Sequence, residues 1–316
     1  MKIFLTGAAG FIGSHLTERL LADGHEVLGL DNFNQFYDPA IKERNIASAL
    51  THPNFRLVRG DICDAALLEN LFAEFKPERL VHLAAWAGVR PSIENPAIYQ
   101  TVNLEGTVNL FERCRHDGVR HIVFASSSSV YGDRETVPFS EQDFVGQPIS
   151  PYAATKRAGE LLAYTWHHLF DLNIDCLRFF TVYGPRQRPE MAIAKFTQAI
   201  HDGQTVTLFG DGSSARDYTY IDDIIDGVMR SIERVEGYRI FNLGNSTPTR
   251  LSRLVEVIGE SVGRQPMIAH LPNQPGDVSR TFADVSFAGD ALGYAPTVSI
   301  EEGVRRYVAW FKANRA

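Results

Sequence analysis

Tyr152 and Lys156 stand four residues apart in the stretch Pro151-Tyr152-Ala153-Ala154-Thr155-Lys156. On a helix that spacing presents both side chains from one face. A free tyrosine, with a pKa of about 10, is a weak base at neutral pH. An ammonium beside it favours the phenolate and lowers that value. Such a pair draws a proton from a substrate hydroxyl if a third group holds that hydroxyl in place. The run Ser126-Ser127-Ser128-Ser129 offers candidates. Tyrosine and lysine at this spacing are common on ordinary amphipathic helices, so the pair takes its meaning from its surroundings.

A second constellation opens the chain. Thr6-Gly7-Ala8-Ala9-Gly10-Phe11-Ile12-Gly13 follows a short apolar run and precedes a helical pattern. Glycines there permit a tight turn and let backbone N–H groups, including those of Phe11 and Ile12, approach a pyrophosphate at the positive end of the helix. The spacing is GxxGxxG, with Ala8 where the commoner GxGxxG has its second glycine. Asp31 ends the next strand-like run, 18 residues past Gly13. A carboxylate there accepts hydrogen bonds from ribose hydroxyls and repels a 2′-phosphate. Asn32 rather than an arginine follows it, so NAD is expected over NADP; a turn cap is the other reading of Asp31. Asp61, in Gly60-Asp61-Ile62, is placed to meet the adenine edge, and Leu83-Ala84-Ala85 leaves room for a cofactor across the sheet edge.

These residues need elements to position them. Strands are expected at Ile3–Ala8, Glu26–Asp31, Phe55–Asp61, Arg79–Ala85, His121–Ser127 and Asp175–Phe180. Helices are expected at Phe11–Asp23, Ala65–Phe75, Gln100–Asp117 and Tyr152–Phe170. Several strands are apolar on both faces, as when helices cover both sides of a parallel sheet. The alternation predicts an α/β, Rossmann-like doubly wound parallel sheet, with the serine run at its carboxyl edge, where such sheets bind ligands. After Gly184-Pro185-Arg186 the rhythm changes. Short strands (Val206–Phe209, Arg239–Leu243), helices near Asp222–Glu233 and Leu251–Val262, and loops such as Gly210–Gly212 and Pro272–Asp277 suggest a smaller mixed α/β lobe. The expected division is 1–184 for NAD and the Ser/Tyr/Lys group and 185–316 mainly for substrate, with the chain free to cross between lobes more than once.

Composition narrows the function further. Lysine and arginine number 31 against 38 acidic residues, a net charge of −7. That disfavours a sequence-independent nucleic-acid binder. Every long apolar run is broken by charge, so no membrane span is expected. The chain starts Met-Lys and goes directly into Ile3-Phe4-Leu5, without a leader-like segment. Cys63, Cys114 and Cys176 form no CxxC pair, which suits a reducing, cytoplasmic setting. None of the ten histidines sits in an HExxH motif, so no metal is expected, and His167-His168 is read as a solvated helix face.

Taken in order, Gly7/Gly10/Gly13, Asp31, the serines before Val130-Tyr131-Gly132, Tyr152/Lys156, Arg178-Phe179-Phe180-Thr181-Val182-Tyr183-Gly184-Pro185, Arg216-Asp217-Tyr218 and Pro275-Gly276-Asp277 cover almost the whole chain. In this set the chain resembles extended short-chain dehydrogenase/reductases of the nucleotide-sugar epimerase/dehydratase family. The resemblance implies a nucleoside diphosphate sugar in the second lobe. It implies Ser127, three before Val130, as the catalytic hydroxyl, with Ser126 and Ser128 beside it, and Asn103 among the cofactor contacts. It implies that Arg216 meets the diphosphate and that Gln274–Asp277 touches the nucleotide, although the UDP-galactose enzymes usually have arginine at the position of Gln274. Phe196 and Phe209 are placed either around the uracil or in the core. A homodimer packed through helices that include Tyr152–Phe170 is also implied.

Within that family, dehydratases resembling this chain carry Thr-Asp-Glu where Ser127-Ser128-Ser129 stands, and UDP-glucuronate decarboxylases carry Thr-Ser-Glu. With no acid at 128 or 129, the resemblance implies epimerisation at C4 through a transient 4-keto sugar. Asp31–Asn34 with Phe36-Tyr37-Asp38, Ala87–Ser92 and Gly184–Pro189 resemble UDP-glucuronate 4-epimerases more than UDP-galactose 4-epimerases, which usually carry asparagine at the position of Thr181. A Thr181 hydroxyl with an arginine suits a C5 carboxylate. Arg188 is the first candidate, then Arg186, which could equally form a structural pair, then Arg90. The competing readings are a 4-epimerase of UDP-glucose/galactose or their N-acetyl forms, a UDP-glucuronate decarboxylase, and a non-catalytic NAD-sensing protein. The last would tend to lose Tyr152 or Lys156, and both are present.

Overall fold

The computed structural model describes residues 1–272 and 278–315. The chain begins with strictly alternating elements: β1 (Lys2–Thr6), α1 (Phe11–Ala22), β2 (Glu26–Asp31), α2 (Pro39–Ile46), β3 (Phe55–Arg59), α3 (Ala65–Phe75) and β4 (Arg79–His82). Two short helices, α4 (Val89–Glu94) and α5 (Pro96–Gln100), lead through a π-turn at Thr101–Glu105 into α6 (Gly106–Asp117). Then come β5 (His121–Ser127), α7 (Pro151–Phe170) and β6 (Asn173–Phe179). The remainder comprises β7 (Thr181–Tyr183), α8 (Ala192–Asp202), β8 (Thr205–Phe209), β9 (Ala215–Tyr220), α9 (Ile221–Arg234), β10 (Tyr238–Leu243), β11 (Pro248–Arg250), α10 (Leu251–Val262), β12 (Met267–Leu271), α11 (Ser286–Leu292) and α12 (Ile300–Ala313).

Seven strands form one sheet in the order β10-β6-β5-β4-β1-β2-β3. The pairs β2–β3, β1–β2, β1–β4 and β4–β5 are parallel. The order runs outward from β1 on both sides, which is the doubly wound arrangement the alternation predicts. Its central strands are fully buried, with Ile3, Phe4, Leu5, Leu80 and Ile122 all closed to solvent. Removing such two-faced apolar strands from water supplies the main driving force for this layer.

Two compact units emerge. One comprises residues 1–132, 144–178 and 225–241; the other comprises 133–143, 179–224 and 242–316. This differs from the expected division at Gly184. Most of α9 and β10 return to the first unit, so Arg239–Leu243, read as part of the second lobe, is an edge strand of the seven-stranded sheet. An ion pair explains why. Asp175 of β6, buried, receives both Nε and Nη2 of Arg239 at 2.9 Å and the Ser231 hydroxyl of α9 at 2.8 Å. The second unit holds a three-stranded sheet, β11-β9-β7, and the parallel pair β8–β12. It also recruits the segment 133–143, where Phe139 bonds through its backbone to Phe282 and Asp284.

The helix expected over Gln100–Asp117 is interrupted by the π-turn, which sets Asn103 out of the regular 3.6-residue repeat. Between β1 and α1 the turn is closed by the Gly10 N–H on the Gly7 carbonyl at 3.1 Å, with the Asp31 carboxylate taking the Ala9 N–H. Gly7 has φ +73°, and a Cβ there would lie 2.9 Å from the Ala84 nitrogen. A Cβ on Gly13 would lie 2.0 Å from the Gly7 carbonyl oxygen, so strand and helix meet only because both positions lack side chains. Gly13→Ala should therefore cost about 1–3 kcal/mol of stability through overpacking, read as a lowered Tm, and should weaken binding of a dinucleotide measured by calorimetry on the still-folded variant.

Candidate active site

Local sequence sets the start of α7. Ser150 is its N-cap and accepts the Ala153 N–H at 3.1 Å, and Pro151 occupies the first turn, where its missing N–H costs nothing. Tyr152 therefore begins the helix, and Lys156 and Glu160 follow on the face that packs on β5 and β6. Lys156 is buried, donates to the Ala125 carbonyl at 2.7 Å and lies 5.3 Å from the centre of the Phe124 ring. Burial pushes the lysine down to about 8, against the pull of the Glu160 carboxylate, which raises it.

Glu160 is one residue that sequence reasoning missed. Its carboxylate accepts two bonds from Arg178 at 2.8 and 2.9 Å, the Ser126 hydroxyl at 2.6 Å and Arg157 at 2.9 Å. Burial alone would raise its pKa, but these donors together hold it below the usual carboxylate range. Arg178 also reaches the Tyr131 hydroxyl at 2.9 Å. Ser127, at the end of β5, accepts the Ser129 N–H and donates to the Ser129 hydroxyl, both at 3.2 Å. Ser128, partly exposed, opens the short turn that follows. The first unit thus brings Ser127, Tyr152 and Lys156 to the β5–α7 corner. The sequence clue to Glu160 was Arg178, a cation inside a buried strand that had to find a partner.

The opposite side of the same sheet edge carries the glycine turn. Gly10 caps α1 without a side-chain acceptor, and the first N–H groups of the helix, at Phe11, Ile12 and Gly13, precede the first intrahelical bond. An open, glycine-lined helix start of this kind fits a pyrophosphate. Asp31 is buried and takes the Ala9 N–H at 3.2 Å, the Phe33 N–H at 2.9 Å and the Lys42 ammonium at 2.9 Å. It therefore combines the turn-cap role with a carboxylate whose charge is offset by Lys42 of α2. Lys42 was not read from the sequence, because one lysine in a polar helix carries no local sign of burial. Asn32 donates to Asp61 at 2.8 Å. Burial works against the Asp61 charge, but Asn32 and the Cys63 N–H hold its pKa down. Ile62 is buried beside it, and Leu83, Ala84 and Ala85 are half-buried just beyond β4.

Asn103, in the π-turn, spends its amide inside the protein. It accepts the Trp86 N–H at 2.7 Å and donates to the Trp86 carbonyl at 3.0 Å and to Thr155 at 3.1 Å. Arg90 is exposed on α4 in the same unit. His167 differs from its reading as solvated: its Nδ1 lies 2.9 Å from the Leu172 carbonyl, across the helix end, whereas His168 is exposed.

The second unit holds the other named residues. Thr181 of β7 pairs with Tyr218 of β9, and Arg216 lies two residues earlier on β9, so register puts Thr181 and Arg216 on one face. Arg216 also donates to the Ala215 carbonyl at 3.0 Å. The Gly184–Gln187 turn, closed by a 3.2 Å backbone bond, gives Arg186 a φ of +64°, a left-handed value uncommon for a side-chain-bearing residue. Arg188 pairs with Glu190 at 2.8 Å. Phe209 ends β8, and both it and Phe196 are half-buried. Gln274 and Asp277 lie outside the described residues. Among the described residues, no group of three or more His, Cys, Asp or Glu side chains is arranged to hold a metal.

A doubly wound sheet with a glycine turn at one strand end and Ser/Tyr/Lys at another defines a Rossmann-type enzyme of the short-chain dehydrogenase/reductase class. The model of the NAD dependent epimerase/dehydratase family matches residues 3–244, and the chain belongs to that family. It is 42% identical over 311 residues to a UDP-glucuronate 4-epimerase of Thermodesulfobacterium geofontis, covering 98% of this chain and 96% of that one. The crystal structure of UDP-glucuronic acid 4-epimerase from Bacillus cereus, in complex with UDP-glucuronic acid and NAD, superposes with TM-score 0.93 at 36% identity and covers 99% of both chains. UDP-glucose 4-epimerase of Thermotoga maritima, solved with UDP-glucose, reaches the same TM-score at 32% identity over 100% of both chains.

Because Glu160 raises Lys156, removing its charge should lower Lys156 below its value near 8. The ammonium is then lost at a lower pH, and with it the charge that favours the Tyr152 phenolate. For Glu160→Gln, the alkaline limb of the pH profile of kcat/KM should move toward lower pH; an unchanged limb would show that the two groups are not coupled.

Proposed function

We propose that the chain is an isomerase that epimerises a UDP-sugar at C4 with NAD as resident cofactor, and that its substrate is UDP-glucuronate, interconverted with UDP-galacturonate. The observation that carries this reading is the β5–α7 corner: β5 ends at Ser127, Lys156, one turn after Tyr152 on α7, donates to the Ala125 carbonyl of β5, and no carboxylate occupies 128 or 129. The open start of α1 and the Asp31–Lys42 pair are the features that suit the cofactor. When bound, NAD supplies the acceptor and donor of the C4 hydride.

The protein's own groups account for the rest. Ser127 holds O4 of the sugar through its hydroxyl. The Tyr152 phenolate takes the O4 proton as C4 is oxidised and returns it after the 4-keto sugar has turned over about its diphosphate. Lys156 keeps a positive charge beside Tyr152 and lowers the phenol's pKa. The dehydratase outcome lacks its acid and base, because Ser128 and Ser129 cannot carry out a proton-coupled elimination.

Oxidation of a uronate at C4 creates a β-keto acid, which loses carbon dioxide if its carboxylate bond aligns with the carbonyl π system. An epimerase must hold that carboxylate out of alignment. Thr181 and Arg188 are assigned to it, with Arg186 and Arg90 as the further candidates and Arg216 on the diphosphate. Glu190 already pairs with Arg188, so the sugar carboxylate would replace a carboxylate partner rather than meet a bare cation. Chromatography of UDP-glucuronate and UDP-glucose reactions tests the reading. Uronate turnover should dominate, Tyr152→Phe should abolish it with NAD still bound, and Arg188→Ala should slow it and release carbon dioxide. Faster turnover of UDP-glucose than of UDP-glucuronate would favour the neutral-sugar epimerase instead.

We further assign the protein to the cytoplasm, on the support of three free thiols, and to a homodimer packed through helices that include α7. On α7, Leu161 and Tyr164, three residues apart, are each about half exposed, an apolar pair that such packing would cover. Among the described residues, no helix is long and apolar enough to cross a membrane. Leu161→Glu should shift the protein to monomer in sedimentation; a wild-type profile would place the contact elsewhere.

A further inference from the structure

His82 ends β4 under the cofactor edge, fully buried, and the chemistry above makes no use of it. Its two ring nitrogens are both engaged: Nδ1 lies 2.8 Å from the Thr6 hydroxyl and Nε2 lies 3.1 Å from the Thr107 hydroxyl. The direction of these bonds follows from counting protons. Thr107 has one hydroxyl proton and gives it to the backbone carbonyl of Asn103 at 2.7 Å. Its oxygen must then accept from His82, which places the ring proton on Nε2. Nδ1 accepts from Thr6, whose oxygen in turn accepts the Ala84 N–H at 3.2 Å.

The ring is also held neutral by its setting. Burial, helped by the charge of Lys156, pushes its pKa down to about 3. The Phe124 ring touches both groups, with its centroid 5.6 Å from that of His82 and 5.3 Å from the Lys156 nitrogen. A protonated imidazole would have to face Thr107 and Thr6 with two donors, and Thr6 would then lose its acceptor.

The chain of bonds runs on in both directions. From Asn103 it continues to both backbone groups of Trp86, and to Thr155, whose hydroxyl bonds the Tyr152 carbonyl at 2.9 Å. From Thr6 it reaches Ala84, at the other end of the same Ala84–Trp86 segment. We propose that His82 is a positioning residue: as the neutral Nε2–H tautomer it braces the cofactor-facing segment Ala84–Trp86 between Thr6 and the π-turn residue Asn103, and through Thr155 it fixes Tyr152 against that segment.

The proposal rests on the catalytic reading of Tyr152, so its test includes a readout independent of turnover. His82→Phe keeps a ring of similar size but removes both bonds. Its fold is checked by a cooperative melt. NAD affinity, followed by calorimetry, should weaken about tenfold, on the scale of one or two lost hydrogen bonds. Turnover should fall by about 100-fold, the cost of misplacing a catalytic group, while KM for the UDP-sugar stays near the wild-type value. His82→Gln, whose amide still donates toward Thr107, should recover most of both losses. If His82→Phe does not fold, Thr107→Val breaks the same chain with the ring in place and should show the same pattern. Wild-type kcat and NAD affinity in the folded variant, or equal impairment of His82→Phe and His82→Gln, would overturn the proposal. A wild-type protein inactive on every UDP-sugar would instead sink the catalytic reading, and the NAD affinities would still judge His82.

Discussion

The carboxylate of Glu160 is the point on which the active corner depends. Burying a carboxylate costs several kcal/mol unless donors replace its water. Here Arg178 supplies a bidentate fork, and Ser126 and Arg157 fill the remaining positions. The donors come from β5, β6 and α7 itself, so these bonds lock the helix to both strands. Tyr152 and Lys156 lie two turns and one turn upstream on that helix, and Ser127 is adjacent to Ser126 on β5. One buried ion pair thereby ties the first two turns of α7, which carry Tyr152 and Lys156, to the end of β5, which carries Ser127.

That arrangement also sets the charge balance. Lys156 sits where burial disfavours its ammonium, and without a nearby carboxylate it would shed its proton more readily still. Glu160 supplies the compensation, while its own excess charge is absorbed by two arginines. Along α7 the order is an anion at Glu160, a cation at Lys156 and, on the proposed mechanism, a phenol that gives up its proton at Tyr152. A neutral His82 beyond Phe124 fits this row, since a second cation beside Lys156 would lower its protonation further.

Much of this was legible in the sequence, and the limits have physical causes. The glycine turn, the acidic end of β2 and the Tyr–Lys pair declare themselves locally, because turn geometry and helix spacing depend on few neighbours. The π-turn at Asn103 did not, since its one-residue slip changes the helical repeat too little to disturb the apolar pattern from Gln100 to Asp117. Arg239–Leu243 reads as a strand, but local pattern does not reveal which sheet it joins; the Asp175–Arg239 pair decides that across 64 residues. Glu160 and Lys42 were overlooked because a charged residue on a helix is normally solvated. The signs that they were not lay in their partners, an arginine inside β6 and a carboxylate ending β2.

The overall fold does not separate uronate from neutral-sugar enzymes. This chain superposes on a UDP-glucuronic acid 4-epimerase and a UDP-glucose 4-epimerase with the same TM-score of 0.93. What separates a uronate from a neutral sugar is therefore sought in local segments. Two of them bear on the proposed reaction. On the proposed mechanism, Ser127–Ser129 lacks the acids that elimination requires and keeps a hydroxyl for O4. The turn after β7 sets Arg186 in a left-handed conformation and pairs Arg188 with Glu190. If Arg188 holds the sugar carboxylate, as proposed, that ligand takes the place of Glu190, whereas a neutral hydroxymethyl group brings no charge to exchange. On that proposal a few local arginines suffice for an anionic ligand on a protein of net charge −7.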